Sequence, residues 1–152
     1  MPRSNRHRRE HDRTIRDRLA ERGARFTAGR RAVVEELEQA PGPLTAADLG
    51  EVLRGRVPVS SLYRTLTVLD DAGVVETHHG PGGVTRYELA EWLSGHHHHV
   101  RCERCGAMED VLLSEAQERA LDSVARSFDL PEGFRATGHS VDVHGICGRC
   151  VP

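Results

Sequence analysis

Two pairs of cysteines and a run of four histidines are the residues of this 152-residue chain whose side chains and placement suit them to chemistry. Cys102-Glu103-Arg104-Cys105 and Cys147-Gly148-Arg149-Cys150 are both C-x-x-C, and no cysteine is left over. One such knuckle offers two thiolates to an ion, and two knuckles complete the tetrahedral set of a structural zinc. Cys102, Cys105, Cys147 and Cys150 therefore read as ligands of a closed site with no position for a substrate, whose binding energy counts toward folding. Directly ahead of the first pair stand His96, His97, His98 and His99. In an extended segment successive side chains face opposite ways, so His96 and His98 share one face and His97 and His99 the other. Each pair can open a separate site if partners come from elsewhere. For one pair these are His139 and a carboxylate from a helix over 114–128. For the other they are Glu76, Glu88, Glu91 and Asp110, and a metal there would pin two halves of the chain together.

The elements that must position these groups are also readable. Residues 12–22 place Ile15 and Leu19 one turn apart and stop at Gly23, which predicts a short helix. Thr27 caps a second helix to about 39 with Val33, Val34 and Leu37 inward, and Thr45 caps a third over 46–54. After Pro58, Ser60 or Ser61 caps a helix ending at Gly73, with Leu62, Leu66 and Leu69 as its apolar stripe. Residues 74–78 and 84–89, joined through Gly80-Pro81-Gly82-Gly83, form a hairpin. Helices followed by a hairpin describe a winged helix-turn-helix, whose second motif helix enters the major groove. Tyr63, Arg64 and Thr67 lie off the leucine stripe and are free to touch DNA. Residues 90–95 read as a linker. The second half reads as α/β, with strands over 97–102, 107–112 and 136–146 and the helix from Ser114 to about Phe128.

Charge divides the chain in the same sense. The net formal charge is −2, yet residues 1–31 hold eleven arginines against four acidic side chains. A basic end on an acidic remainder suits nucleic acid met at one end only. The N-terminus has no apolar stretch behind its arginines and no segment approaches membrane-spanning length, so a cytoplasmic protein without a membrane partner is expected. A zinc hydrolase would need an open metal position and a general base. There is no H-E-x-x-H, and the four-cysteine site is closed, so an enzyme is not expected. A metal buffer without DNA binding would be indifferent to Tyr63 and Arg64.

The histidine run leading into Cys102-x-x-Cys105-Gly106 resembles the ferric uptake regulator family of metal-responsive repressors. So do Ser61-Leu62-Tyr63-Arg64-Thr65-Leu66, Asp71-Ala72-Gly73-Val74-Val75, Thr137-Gly138-His139-Ser140, the closing C-x-x-C, and Arg25-Phe26-Thr27-Ala28-Gly29-Arg30. The resemblance implies an α+β chain: a basic arm (1–11), a winged-helix DNA-binding domain (12–89), a hinge linker (90–95) and a small α/β dimerisation domain (96–152). It implies a homodimer on a double-stranded operator, with Arg25, Ser61, Tyr63, Arg64 and Thr67 toward DNA. His97 and His99 match the sensing pair at the hinge, joined by Asp110 and by Glu76 or Glu91. His96, His98 and His139 match a further site in the dimerisation domain, completed by a helix carboxylate. Spacing from Cys102 puts Gln117 there, and a shift of one residue puts Glu118 there, which is preferred. The cofactors implied are a structural Zn2+ and a second, regulatory divalent ion, zinc first, with Fe2+, Mn2+ or Ni2+ as alternatives and peroxide sensing among them. Two positions depart from the subtypes. Pro43 stands where iron and manganese sensors carry a histidine, and no cysteine follows the hairpin as in many zinc sensors.

Overall fold

Two threonines set helix starts in the first half. The Thr27 hydroxyl accepts from the Arg30 amide, and Thr45 with Asp48 makes a reciprocal capping box. Each satisfies backbone donors that a helix start leaves open. The computed structural model describes residues 5–151, in two units divided after Gly95.

The first unit holds α1 (Asn5–Glu21), α2 (Ala28–Gln39), β1 (Leu44–Thr45), α3 (Ala46–Val52), α4 (Val59–Asp71), β2 (Val75–His79), β3 (Thr85–Leu89) and the single turn α5 (Glu91–Ser94). The three strands form one antiparallel sheet in the order β1-β3-β2. Ile15 and Leu19 from α1, Val33 and Leu37 from α2, Leu62, Leu66 and Leu69 from α4, and Val75 and Leu89 from the hairpin close on one core. Each such side chain, buried fully, contributes roughly 1.5–3 kcal/mol. Gly73, at φ +61°, ends α4 in the left-handed conformation that favours glycine.

Four expectations need correction here. Helix α1 begins at Asn5, not near residue 12, so residues 5–11 of the basic arm are helical, while residues 1–4 lie outside the described residues. Arg8 reaches Glu38 at 3.7 Å and His11 packs edge-on against Trp92, which ties the early turns to the unit. Neither Ser60 nor Ser61 caps α4: Pro58 is the N-cap, with no side-chain bond, and its carbonyl accepts from the Ser61 and Leu62 amides. Nor is 90–95 a free linker. Ala90 and Leu93 are buried in the first unit, the Trp92 indole donates to the Gly73 carbonyl at 2.8 Å, and Arg18 stacks on the indole. Only Gly95, at φ +88°, lies beyond that anchored turn. The fourth correction concerns the last strand, which spans only Asp142–Gly145 and not 136–146.

The second unit holds β4 (His98–Cys102), β5 (Met108–Val111), α6 (Glu115–Ser127) and β6 (Asp142–Gly145). Its sheet runs β5-β4-β6, antiparallel on one side of β4 and parallel on the other. Ser114 and Gln117 cap α6 with a second capping box. No residue of α6 is buried, and Val124, Phe128, Val143 and Ile146 are exposed. The apolar spacing of Leu121, Val124 and Phe128 is therefore a stripe without cover in the single chain.

Candidate metal centres

The four cysteines converge. Cys102 and Cys105 flank the tight turn after β4, and Cys147 and Cys150 form a second turn in which the Cys150 amide donates to the Cys147 carbonyl at 2.8 Å. Gly106, at φ +69°, is the left-handed residue that closes the first knuckle, whereas Gly148 has no such conformation. All four Sγ atoms lie within 4.8 Å of one another, with Cys105 and Cys147 3.7 Å apart. Tetrahedral zinc with bonds of about 2.3 Å sets its sulfurs roughly 3.8 Å apart, so the donors fit the ion. Their acidities are split. The Cys147 amide, which donates to the Cys102 sulfur at 3.4 Å, holds the Cys102 thiol down to about 6. Hydrogen bonds with the Cys105 and Cys147 side chains push Cys150 up to about 12. Four thiolates without a cation repel one another, and a divalent ion removes that penalty.

The histidine run divides as alternation requires. His96, His98 and His139 meet the Glu118 carboxylate at 3.5, 3.2 and 3.2 Å through their Nε2 atoms. His98 is 2% exposed. Gln117 takes no part, because its side chain accepts from the Ser114 amide and hydroxyl in the cap of α6. Burial raises the Glu118 carboxyl, but hydrogen bonds from His98 and His139 outweigh it and leave the group below its ordinary value. Sequence reasoning missed Asp122, whose Oδ1 stands 3.1 Å from His139 Nδ1. A carboxylate behind a ligating imidazole fixes the tautomer that turns Nε2 toward the metal. The missed signal was spacing, since Asp122 lies one helical turn after Glu118. The Glu118→Gln substitution is expected to weaken metal binding at this cluster by at least about tenfold, measured by competition with a chromogenic chelator. Gln117→Ala should instead cost about 1 kcal/mol of stability through the lost cap and leave that affinity unchanged.

His97 and His99 lie together on the other face, with ring centroids 5.0 Å apart, and stand 3.9 and 3.8 Å from Asp110 Oδ1. Behind His99, Asp142 approaches Nδ1 at 3.5 Å. Asp142 is its register partner across the β4–β6 pair, which a sequence cannot reveal. Two imidazoles and one carboxylate leave coordination positions open. The other carboxylates proposed for this set belong to the first unit. Glu76 and Glu91 are exposed there, while Glu88 is buried and 2.5 Å from His78 Nε2. Glu76 and Glu88 are register partners across the hairpin, a like-charge pairing that is unfavourable unless a cation offsets it. Of the residues read toward DNA, Ser61, Tyr63, Arg64 and Thr67 are exposed on α4 and Arg25 is exposed after α1. Arg25 also binds back to the chain, its carbonyl accepting from the Arg30 guanidinium.

A winged-helix unit joined to a small α/β unit rich in histidine and cysteine clusters defines a metal-responsive transcription regulator. The model of the ferric uptake regulator family matches residues 21–144. The chain is 30% identical over 141 residues to the ferric uptake regulation protein of Bacillus subtilis, covering 90% of this chain and 91% of that protein. It is 28% identical over 135 residues to the peroxide operon regulator of the same organism, covering 87% and 88%. The solved ferric uptake regulator of Vibrio cholerae superposes with a TM-score of 0.63 at 28% identity, over 85% of this chain and 96% of that one. The chain belongs to the ferric uptake regulator family, whose members are dimeric, metal-binding, DNA-binding regulators. No helix among the described residues is long and apolar enough to cross a membrane.

Proposed function

We propose that this protein is a homodimeric repressor of metal-homeostasis genes, active on DNA when a regulatory ion, preferentially zinc, is bound. The observation that carries this reading is the grouping of Asp110 with His97 and His99, the two histidines that follow the boundary between the units. These three groups hold the regulatory ion, and a carboxylate of the first unit completes the set. Glu88 is the candidate we favour over Glu76 and Glu91, because it is buried and already positioned by His78. Ligands drawn from both units restrict the pivot at Gly95 and His96. The two α4 helices of a dimer are then held at the separation of successive major grooves, a population shift in favour of the DNA-binding form. On this reading the pivot follows Ser94, because α5 is anchored to the first unit.

Dimerisation has its own support. β6 is an edge strand with Val143 exposed, and Ile146, Val124 and Phe128 are exposed in the same unit. An unpaired edge beside apolar surface suits pairing with a second copy. A nitrogen-rich donor set suits zinc, nickel and iron alike. A second reading, an iron or peroxide response, draws on the two-histidine, one-carboxylate set, which also suits ferrous iron. Operator binding titrated with zinc, iron, manganese and nickel in turn separates the two. Zinc is expected to produce tight binding at the lowest free concentration. Selective activation by iron, with oxidation of His97 or His99 after peroxide, would establish the alternative.

A further inference from the structure

Helix α1 carries a face that neither the metal clusters nor α4 accounts for. Arg9, Arg13 and Arg16 are exposed and spaced i, i+4, i+7, so they form one stripe about 10.5 Å long, turned away from the buried Ile15 and Leu19. Four other arginines of the unit are committed: Arg8 to Glu38, Arg31 to Asp12 at 2.6 Å, Arg56 to Glu35 and Glu36, and Arg18 to the Trp92 ring. Among the described residues, Arg9, Arg13 and Arg16 make no ion pair. Asp17 follows Arg13 by four residues without pairing to it, although the arginines of α6 pair with Glu115 and Asp122 at that same separation. Three guanidinium groups held close together repel one another, and among the described residues none of the three has an ion pair to offset this. Exposed Arg22 and Arg25 continue the basic surface beyond the helix end. Ile15 and Leu19 share one core with Leu62, Leu66 and Leu69 of α4, so the stripe and the DNA-facing helix are parts of one packed body.

We infer that Arg9, Arg13 and Arg16 form a second DNA-contacting surface, which grips duplex phosphates outside the bases met by α4. The inference rests on the DNA-binding reading above and adds the partner chemistry: a phosphate backbone, recognised by charge and not by sequence. Duplex DNA is the occupant that complements this face, with one charge per about 1.7 Å of axis, and guanidinium groups bind phosphate oxygens in a fixed fork. The stripe contributes affinity and orientation, and base preference stays with Tyr63 and Arg64.

The experiment uses the full-length, metal-saturated protein and follows affinity against salt concentration, on operator duplex and on a random duplex of equal length. In the triple variant R9Q/R13Q/R16Q the slope of log affinity against log salt should become shallower by about 2.7 for each engaged protomer. Both duplexes should weaken by similar factors, leaving the preference for operator unchanged. The variant R9K/R13K/R16K, which keeps the charges, should retain most of the slope. Tyr63→Ala should instead reduce the preference for operator. A wild-type slope in the glutamine variant, on either duplex, would overturn the inference, with an unchanged far-UV spectrum showing that α1 is intact. Absence of operator preference in the wild type would count against the repressor reading alone, because the random duplex still reports on the stripe.

Discussion

Serine at Cys102 and Cys147 is expected to unfold the second unit and leave the first folded. That unit buries little else: its buried apolar side chains among the described residues are Cys102 and Met108, and α6 buries none. A sheet of three short strands without a deep core does not offset its own conformational entropy. The four thiolates supply the difference, since structural zinc contributes on the order of 10–16 kcal/mol in small zinc-dependent domains at neutral pH. Removing a ligand from each knuckle should release one zinc per protomer, abolish the dimer and eliminate the metal affinity of the histidine clusters that the same strands carry. The leucine core around Leu62, Leu66 and Leu69 does not depend on the cysteines, so the helical part of the far-UV spectrum should persist. Zinc content by mass spectrometry, with sedimentation and circular dichroism, gives the result. A folded dimer without zinc would show that the cluster is not structural.

Substituting His97 and His99 together by alanine should have the second largest effect, on function more than on stability. The variant is expected to keep its four-cysteine zinc and its dimer, yet bind operator about 100-fold more weakly at saturating regulatory metal, near the upper range of measured couplings between sites. Its affinity should no longer change when metal is added. Substituting His96 and His98 should act differently. His98 is almost wholly buried against Glu118, so that pair should lower the stability of the second unit, and the metal dependence of DNA binding should survive.

The cysteine and histidine groupings were readable in the sequence because their information is local. A C-x-x-C knuckle and an alternating run of histidines state their geometry within a few residues, and the helices of the first unit announce themselves through threonine caps and leucine spacing. What escaped depends on contacts between distant segments. Asp142 stands behind His99 only because β6 pairs with β4 in a particular register. Residues 90–95 have the composition of a linker, and only the packing of Trp92 and Leu93 makes them part of the first unit. Pro58 displaced the two serines as N-cap because its fixed φ suits the position. Between Gln117 and Glu118, the cap of α6 uses the glutamine and leaves the glutamate beside the histidines.

The most direct measurement is operator affinity of the purified dimer, with and without a chelator that strips the regulatory ion, while zinc bound to Cys102, Cys105, Cys147 and Cys150 is counted in the same samples. The expected result is a large loss of affinity with one zinc per protomer retained, reversed on adding the regulatory metal. Equal affinity in both states, with the four-cysteine zinc in place, would contradict the account.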